Sequence, residues 1–150
     1  EKGGLGGSHG WHHPIVYTEQ DFVAEVGRIT DGAKLPVVYD SVGKVTFMKS
    51  LDCLKPRGLM VSFGNASGPV DPFAPGILAQ KGSLFLTRPT LFHYIATRRE
   101  LDQSAAELFQ MVRSGKVKVE VKQRFELKQA AEAHRALEAR ETIGSTVLTI

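Results

Sequence analysis

Along the first two thirds of the chain, apolar residues alternate between short continuous runs and helical spacing. Pro14-Ile15-Val16-Tyr17 is a short β-prone run. Thr18 follows, placed to cap a helix whose apolar residues Phe22, Val23, Val26 and Ile29 share one face. Asp31-Gly32 ends that helix. Val37-Val38-Tyr39-Asp40 is a continuous run stopping near Gly43, as expected of a strand covered on both faces. Phe47, Met48, Leu51 and Leu54 return to helical spacing until Lys55-Pro56-Arg57-Gly58 breaks it. Leu59-Met60-Val61-Ser62-Phe63 reads as a second buried strand ending on Gly64, and a loop rich in Gly and Pro fills 65–75. Gly82-Ser83-Leu84-Phe85-Leu86-Thr87 is a further strand, stopped by Pro89.

Strands separated by helical segments imply a parallel sheet with crossover helices. The predicted fold is therefore α/β, half of a doubly wound sheet. Ligands of such sheets sit at the carboxyl ends of the strands. Here those ends are Tyr17, Asp40 to Gly43, Phe63-Gly64-Asn65 and Thr87-Arg88.

The last third has a different pattern. Thr97-Arg98-Arg99-Glu100 is a capping box, in which the Thr and Glu side chains satisfy each other's backbone donors. Leu101, Ala105, Leu108 and Val112 line one face of the helix it opens, and Ser114-Gly115 closes it. Residues 116–122 alternate, with Val117, Val119 and Val121 on one side, and predict a half-exposed strand. An Ala-rich helix over about 128–139 and a strand over 146–150 complete the chain.

Composition narrows the classes. The chain has 150 residues, 42% hydrophobic and 23% charged, the balance of an ordinary globular domain. Its single cysteine, Cys53, excludes an intrachain disulfide framework and a four-cysteine zinc site, and fits a reducing, cytoplasmic setting. No run approaches a membrane span. The net charge of +3 is spread among both signs, which argues against a nucleic-acid footprint. The first residues are Glu1-Lys2 rather than Met, followed directly by glycines, so a longer parent protein is expected.

Most candidate chemistry reduces to ordinary structure. Gly4-Leu5-Gly6 resembles the start of a dinucleotide fingerprint, but His9 stands at the third glycine position and no strand precedes it. His9, His12 and His13 lack a carboxylate or Cys beside them, so no metal site is expected. Cys53 lies within an apolar helix and reads as a small core residue. No triad or carboxylate pair is visible, and no catalytic residue is assigned. What remains is a set of strand-end residues: the Tyr17 ring and hydroxyl, Gly64 for close backbone approach, and the Asn65 amide. Lys2, Arg88 and Arg140 are cations of the kind that pair with phosphate.

Three segments carry a specific resemblance: 37–43 (VVYDSVG), 57–68 (RGLMVSFGNASG) and 82–89 (GSLFLTRP). With Ala130 to Leu137 (AAEAHRAL) and 144–148 (GSTVL), they resemble the quinone oxidoreductase, zeta-crystallin-like branch of the medium-chain dehydrogenase/reductases. The likeness covers residues 14–150 and corresponds to the C-terminal half of the family's two-domain chain. It implies a partial Rossmann domain over 1–95, then a helix and returning catalytic-domain segment over 96–150. It further implies zinc-independent hydride transfer from NADPH to quinones or related α,β-unsaturated carbonyls, with the chemistry residing in the cofactor. Carried over by position, Lys2 meets the adenosine 2′-phosphate, and Tyr17 lies beside that phosphate and the ribose. Val42 flanks the adenine and ribose, and Phe63, Gly64 and Asn65 form the turn next to the nicotinamide ribose. Arg88 lies at the nicotinamide end, and Arg140 near the cofactor. The resemblance also implies a homodimer through strand 83–87, whose Leu84-Phe85-Leu86 would make an apolar edge. The isolated 150 residues are expected to be inactive without a pyrophosphate-binding loop. The alternative is a non-enzymatic dimerising or binding module derived from the same fold.

Overall fold

A computed structural model of the chain describes residues 12–150. The described residues divide into two compact units, one ending at Ala96 and the other running from Thr97 to Ile150.

In the first unit the order is α1 (Phe22–Ile29), β1 (Leu35–Asp40), α2 (Phe47–Asp52), β2 (Leu54–Ser62), α3 (Gly76–Gln80), β3 (Phe85–Thr87) and α4 (Leu91–Tyr94). The three strands form one parallel sheet in the order β1-β2-β3. This is the α/β arrangement that the alternating pattern predicts.

Several local expectations are corrected. Residues 14–17 form no strand; Glu19 and Gln20 donate to the Val16 carbonyl and bend the chain into a turn. A β-prone run becomes a strand only beside a partner, and no described strand pairs with it. Tyr17 therefore sits in a turn rather than at a strand end. The cap of α1 is Asp21, not Thr18: the Asp21 carboxylate accepts from the Val23 amide at 3.1 Å. Strand β2 begins at Leu54, within the predicted helix and ahead of the predicted breaker. Pairing jumps from Leu35–Leu54 to Val37–Leu59, so 55–58 bulge out of the ladder. Strand β3 is shorter than predicted, and α3 and α4 are short helices in segments the pattern left unassigned.

The core joins Phe47 and Leu51 of α2 to Leu54 and Met60 of β2 and to Leu84, ringed by Val38, Val70, Phe73 and Leu78. The Phe47 and Phe73 rings pack with centroids 5.2 Å apart. Cys53 is buried beside this core.

The second unit comprises α5 (Arg98–Arg113), β4 (Val121–Glu126), a 3-10 turn (Leu127–Gln129), α6 (Ala130–Glu138) and β5 (Ser145–Thr149). The capping box is formed as predicted: the Glu100 amide donates to the Thr97 hydroxyl, and the Glu100 carboxylate accepts from the Thr97 amide at 2.9 Å. That amide, and then the Thr97 hydroxyl, hold the Glu100 carboxyl below the usual range. The strand predicted over 116–122 is displaced to 121–126. Strand β5 sets the register, pairing from Val121–Ser145 through Glu126–Thr149, and leaves Val117 and Val119 exposed.

Candidate functional site

Parallel register brings the carboxyl ends of the first sheet side by side. Asp40 pairs with Ser62, and Val61 pairs with Thr87. The residues just beyond, Val42, Phe63-Gly64-Asn65 and Arg88, therefore follow one edge.

Asp40 organises the first part of that edge. It is only 4% exposed. Its Oδ1 accepts from the amides of Val42 and Gly43, at 2.8 and 2.9 Å. Its Oδ2 accepts from the hydroxyls of Thr46 and Ser50, both at 2.8 Å. Thr46 and Ser50 are four apart and so reach back from the same face of the α2 turn. Burial pushes the carboxyl up, but the hydrogen bonds from Gly43, Ser50, Thr46 and Val42 together outweigh it, and Asp40 lies below the usual range.

The loop after β2 docks on the turn after β1. Phe63 N–H donates to the Asp40 carbonyl at 2.9 Å, Ala66 N–H to Ser41 at 3.1 Å and Ser67 N–H to Val42 at 2.8 Å. The Ser67 hydroxyl donates to the Val42 carbonyl at 2.8 Å and accepts from the Val45 amide at 3.1 Å. Two glycines permit this approach. A Cβ on Gly64 would stand 2.3 Å from the Ser41 carbonyl oxygen, and one on Gly43, at φ +88°, 2.7 Å from that of Gly68.

On this scaffold the sequence-predicted residues fall into place unevenly. Tyr17 and Val42 line the same cavity of about 280 Å³, together with Phe22, Val26, Val38 and Tyr39. Phe63 and Asn65 are exposed at the strand end, where they can meet a ligand. Arg88 Nη1 donates to the Ser62 carbonyl at 2.9 Å, which fixes the guanidinium beside the Phe63 turn. Arg140 belongs to the other unit, where it follows α6 with φ +60°. Lys2 and His9 lie outside the described residues.

Cys53, set aside as a nucleophile, behaves as a core residue. Burial, and then the neighbouring Asp52 charge, push the Cys53 thiol up to about 11, far from a ready nucleophile. His12 and His13 are exposed, and His9, the third of that group, lies outside the described residues. Sequence reasoning placed Asp40 on the edge but missed its role, and it missed Ser67 and Tyr39 altogether. A signal existed for Asp40: an acid closing an apolar run, with Gly43 three residues on and Thr46 and Ser50 at helical spacing.

The edge offers aromatic rings, an amide and a tethered cation. These suit a flat heteroaromatic ring joined to a sugar. The zinc-binding dehydrogenase family matches residues 9–148. A quinone oxidoreductase of Pseudomonas aeruginosa is 53% identical over 99% of this chain and 46% of its own length. A 2-haloacrylate reductase of a Burkholderia species is 48% identical over 93% of this chain and 42% of its own length. The crystal structure of Escherichia coli quinone oxidoreductase complexed with NADPH superposes with a TM-score of 0.84 at 53% identity, covering 91% of this chain and 42% of that one. The chain thus spans less than half the length of each of these relatives.

Proposed function

We propose a function from the premise that this chain belongs to the zinc-binding dehydrogenase family: it supplies the later part of an NADPH-binding domain in a quinone reductase. The observation that carries the reading is the shared carboxyl edge, where Val42, Phe63, Gly64, Asn65 and Arg88 follow one another and Tyr17 lines one cavity with Val42. Likeness to an NADPH-complexed quinone oxidoreductase supports it.

The residues present fit part of the cofactor. Tyr17 and Val42 would flank the adenosine, with Tyr39 as an additional ring on the same cavity wall. Phe63, Gly64 and Asn65 would border the nicotinamide ribose, with Arg88 at the nicotinamide end. In this reading residues 1–95 are the Rossmann part and 96–150 the catalytic-domain segment; Lys2, outside the described residues, and Arg140 are the further cations that the resemblance assigns to the cofactor. Bound NADPH supplies the hydride; this chain's residues orient the nucleotide.

The acceptor class is a quinone or a related activated alkene, the second supported by the likeness to a 2-haloacrylate reductase. The reading keeps the zinc-independent hydride transfer that the resemblance implies; Cys53 is buried with its thiol pushed up to about 11 and is no ready thiolate ligand. A single cysteine also suits the cytoplasm.

Pairing of β3 across a two-fold axis would form a homodimer. The exposed strip consists of Phe85 and Leu86, since Leu84 turns into the core. Such an edge favours a partner strand.

The test is acceptor-dependent oxidation of NADPH by the intact protein that carries this chain. A naphthoquinone should accelerate the loss of NADPH absorbance. No acceptor-dependent loss would overturn the reading.

A further inference from the structure

We infer that Asp40 is a positioning residue for the nucleotide edge: its carboxylate holds the turn at 41–46 in the one shape onto which the loop at 63–68 can dock. The inference deepens the cofactor reading above and rests on it.

The argument starts from connectivity. Both Asp40 oxygens are fully used, one by the Val42 and Gly43 amides and the other by the Thr46 and Ser50 hydroxyls. One side chain therefore links the end of β1, the turn beyond it and the start of α2. Val42 is the node between that clamp and the next loop. Its amide donates to Asp40, while its carbonyl accepts from both the amide and the hydroxyl of Ser67. If Val42 moves, Ser67 loses its anchor, and the loop carrying Gly64 and Asn65 is left with the Phe63 and Ala66 amides bonded to the Asp40 and Ser41 carbonyls.

The fit leaves little slack. Ser41 and Gly64 approach closely enough that no Cβ fits between them, and Gly43 and Gly68 likewise. Interfaces of this kind hold one arrangement or lose it; they do not deform smoothly. Removing the carboxylate leaves the buried Ser50 hydroxyl and two turn amides without their acceptor, and the Thr46 hydroxyl with only the longer 3.4 Å contact to the Gly43 carbonyl, a large cost for so small a segment. Asp40 lines the cavity beside Tyr17 and Val42, but both its carboxylate oxygens are taken up by the turn. It acts through Val42, on the adenosine side, and through the docked loop, on the nicotinamide side.

The experiment uses the intact protein and two readouts. NADPH affinity is measured by nucleotide fluorescence well below each variant's Tm, and amide exchange is followed at Ala66 and Ser67. Asp40→Ala should weaken NADPH binding about tenfold and strip protection from both amides. Asp40→Asn keeps a carbonyl oxygen for the two turn amides and should stay within about threefold of wild type. Leu51→Val, a core change that removes none of the turn's hydrogen bonds, should lower Tm while leaving affinity and protection intact. An Asp40→Ala protein that behaves like Leu51→Val, less stable but with wild-type affinity and protection, would show the carboxylate to be structural only and overturn the inference.

If Asp40→Ala does not fold, Gly43→Ala tests the same joint from its other side. It should weaken binding and expose the same amides, and wild-type values for both would overturn the inference. If wild-type protein fails to bind NADPH, the cofactor reading falls. Exchange then still decides the clamp: loss of protection in Asp40→Ala supports it, and unchanged protection overturns it.

Discussion

The two compact units are built on different terms. The first encloses Phe47, Leu51, Leu54, Met60 and Leu84, each no more than 6% exposed, between α2 and a parallel sheet. The second buries Ala133 alone among its described residues, while Leu101, Leu108, Phe109, Met111 and Val112 of α5 stay exposed. The first therefore draws its stability from packing across strands. The second rests more on local devices: the Thr97–Glu100 capping box, the Arg98–Asp102 ion pair and the Gln103–Glu107 hydrogen bond. The comparison teaches where a site can be held rigidly. The strand-end residues stand on the packed unit, where a displaced turn would disturb a closed core.

The largest expected effect breaks the first unit. Leu51 is fully buried, and Leu51→Ala should cost about 2–5 kcal/mol in a denaturant melt. Next comes the pH dependence of Asp40. Its folded carboxyl lies below the ordinary value of about 3.9, so its stabilisation is present above that value and disappears as pH falls through the folded pKa. The stability gap between wild type and Asp40→Asn should therefore be widest near neutral pH and should narrow steadily below about pH 4. A gap that widens on acidification would contradict the hydrogen-bonded carboxylate.

Smaller effects belong to the second unit. Thr97→Ala removes the cap of α5 and should cost about 1 kcal/mol, measured as lost helicity or lowered Tm. Leu108 is 56% exposed, and Leu108→Ala should change stability by no more than about 0.5 kcal/mol. A much larger loss would mean that a surface outside the described residues covers this face.

What could be read from the sequence follows the same division. The continuous apolar runs at 37–40 and 59–62 announce β1 and the carboxyl-terminal part of β2; the second is buried as expected of a covered strand, whereas in β1 Tyr39 is 73% exposed, so that strand is not covered on both faces. The capping box is legible because its two side chains are near neighbours in the chain. Features set by distant partners are not. The run at 14–17 is β-prone yet unpaired, and the valines at 117 and 119 alternate yet lie outside β4, because pairing rather than propensity decides both. The edge residues Phe63, Gly64 and Asn65 were found because they end a strand. Asp40 was harder to interpret, because its partners Thr46 and Ser50 come into reach only once α2 folds back over the strand end.

The central claim is that the carboxyl edge of the first unit receives NADPH, and direct titration tests it most simply. NADPH fluorescence is followed on addition of the intact protein, beside Tyr17→Ala and Asn65→Ala variants. The account predicts saturable binding by the wild type and weaker binding by both variants, with their melting temperatures unchanged. Absence of saturable binding, or variants that bind as tightly as wild type, would contradict it.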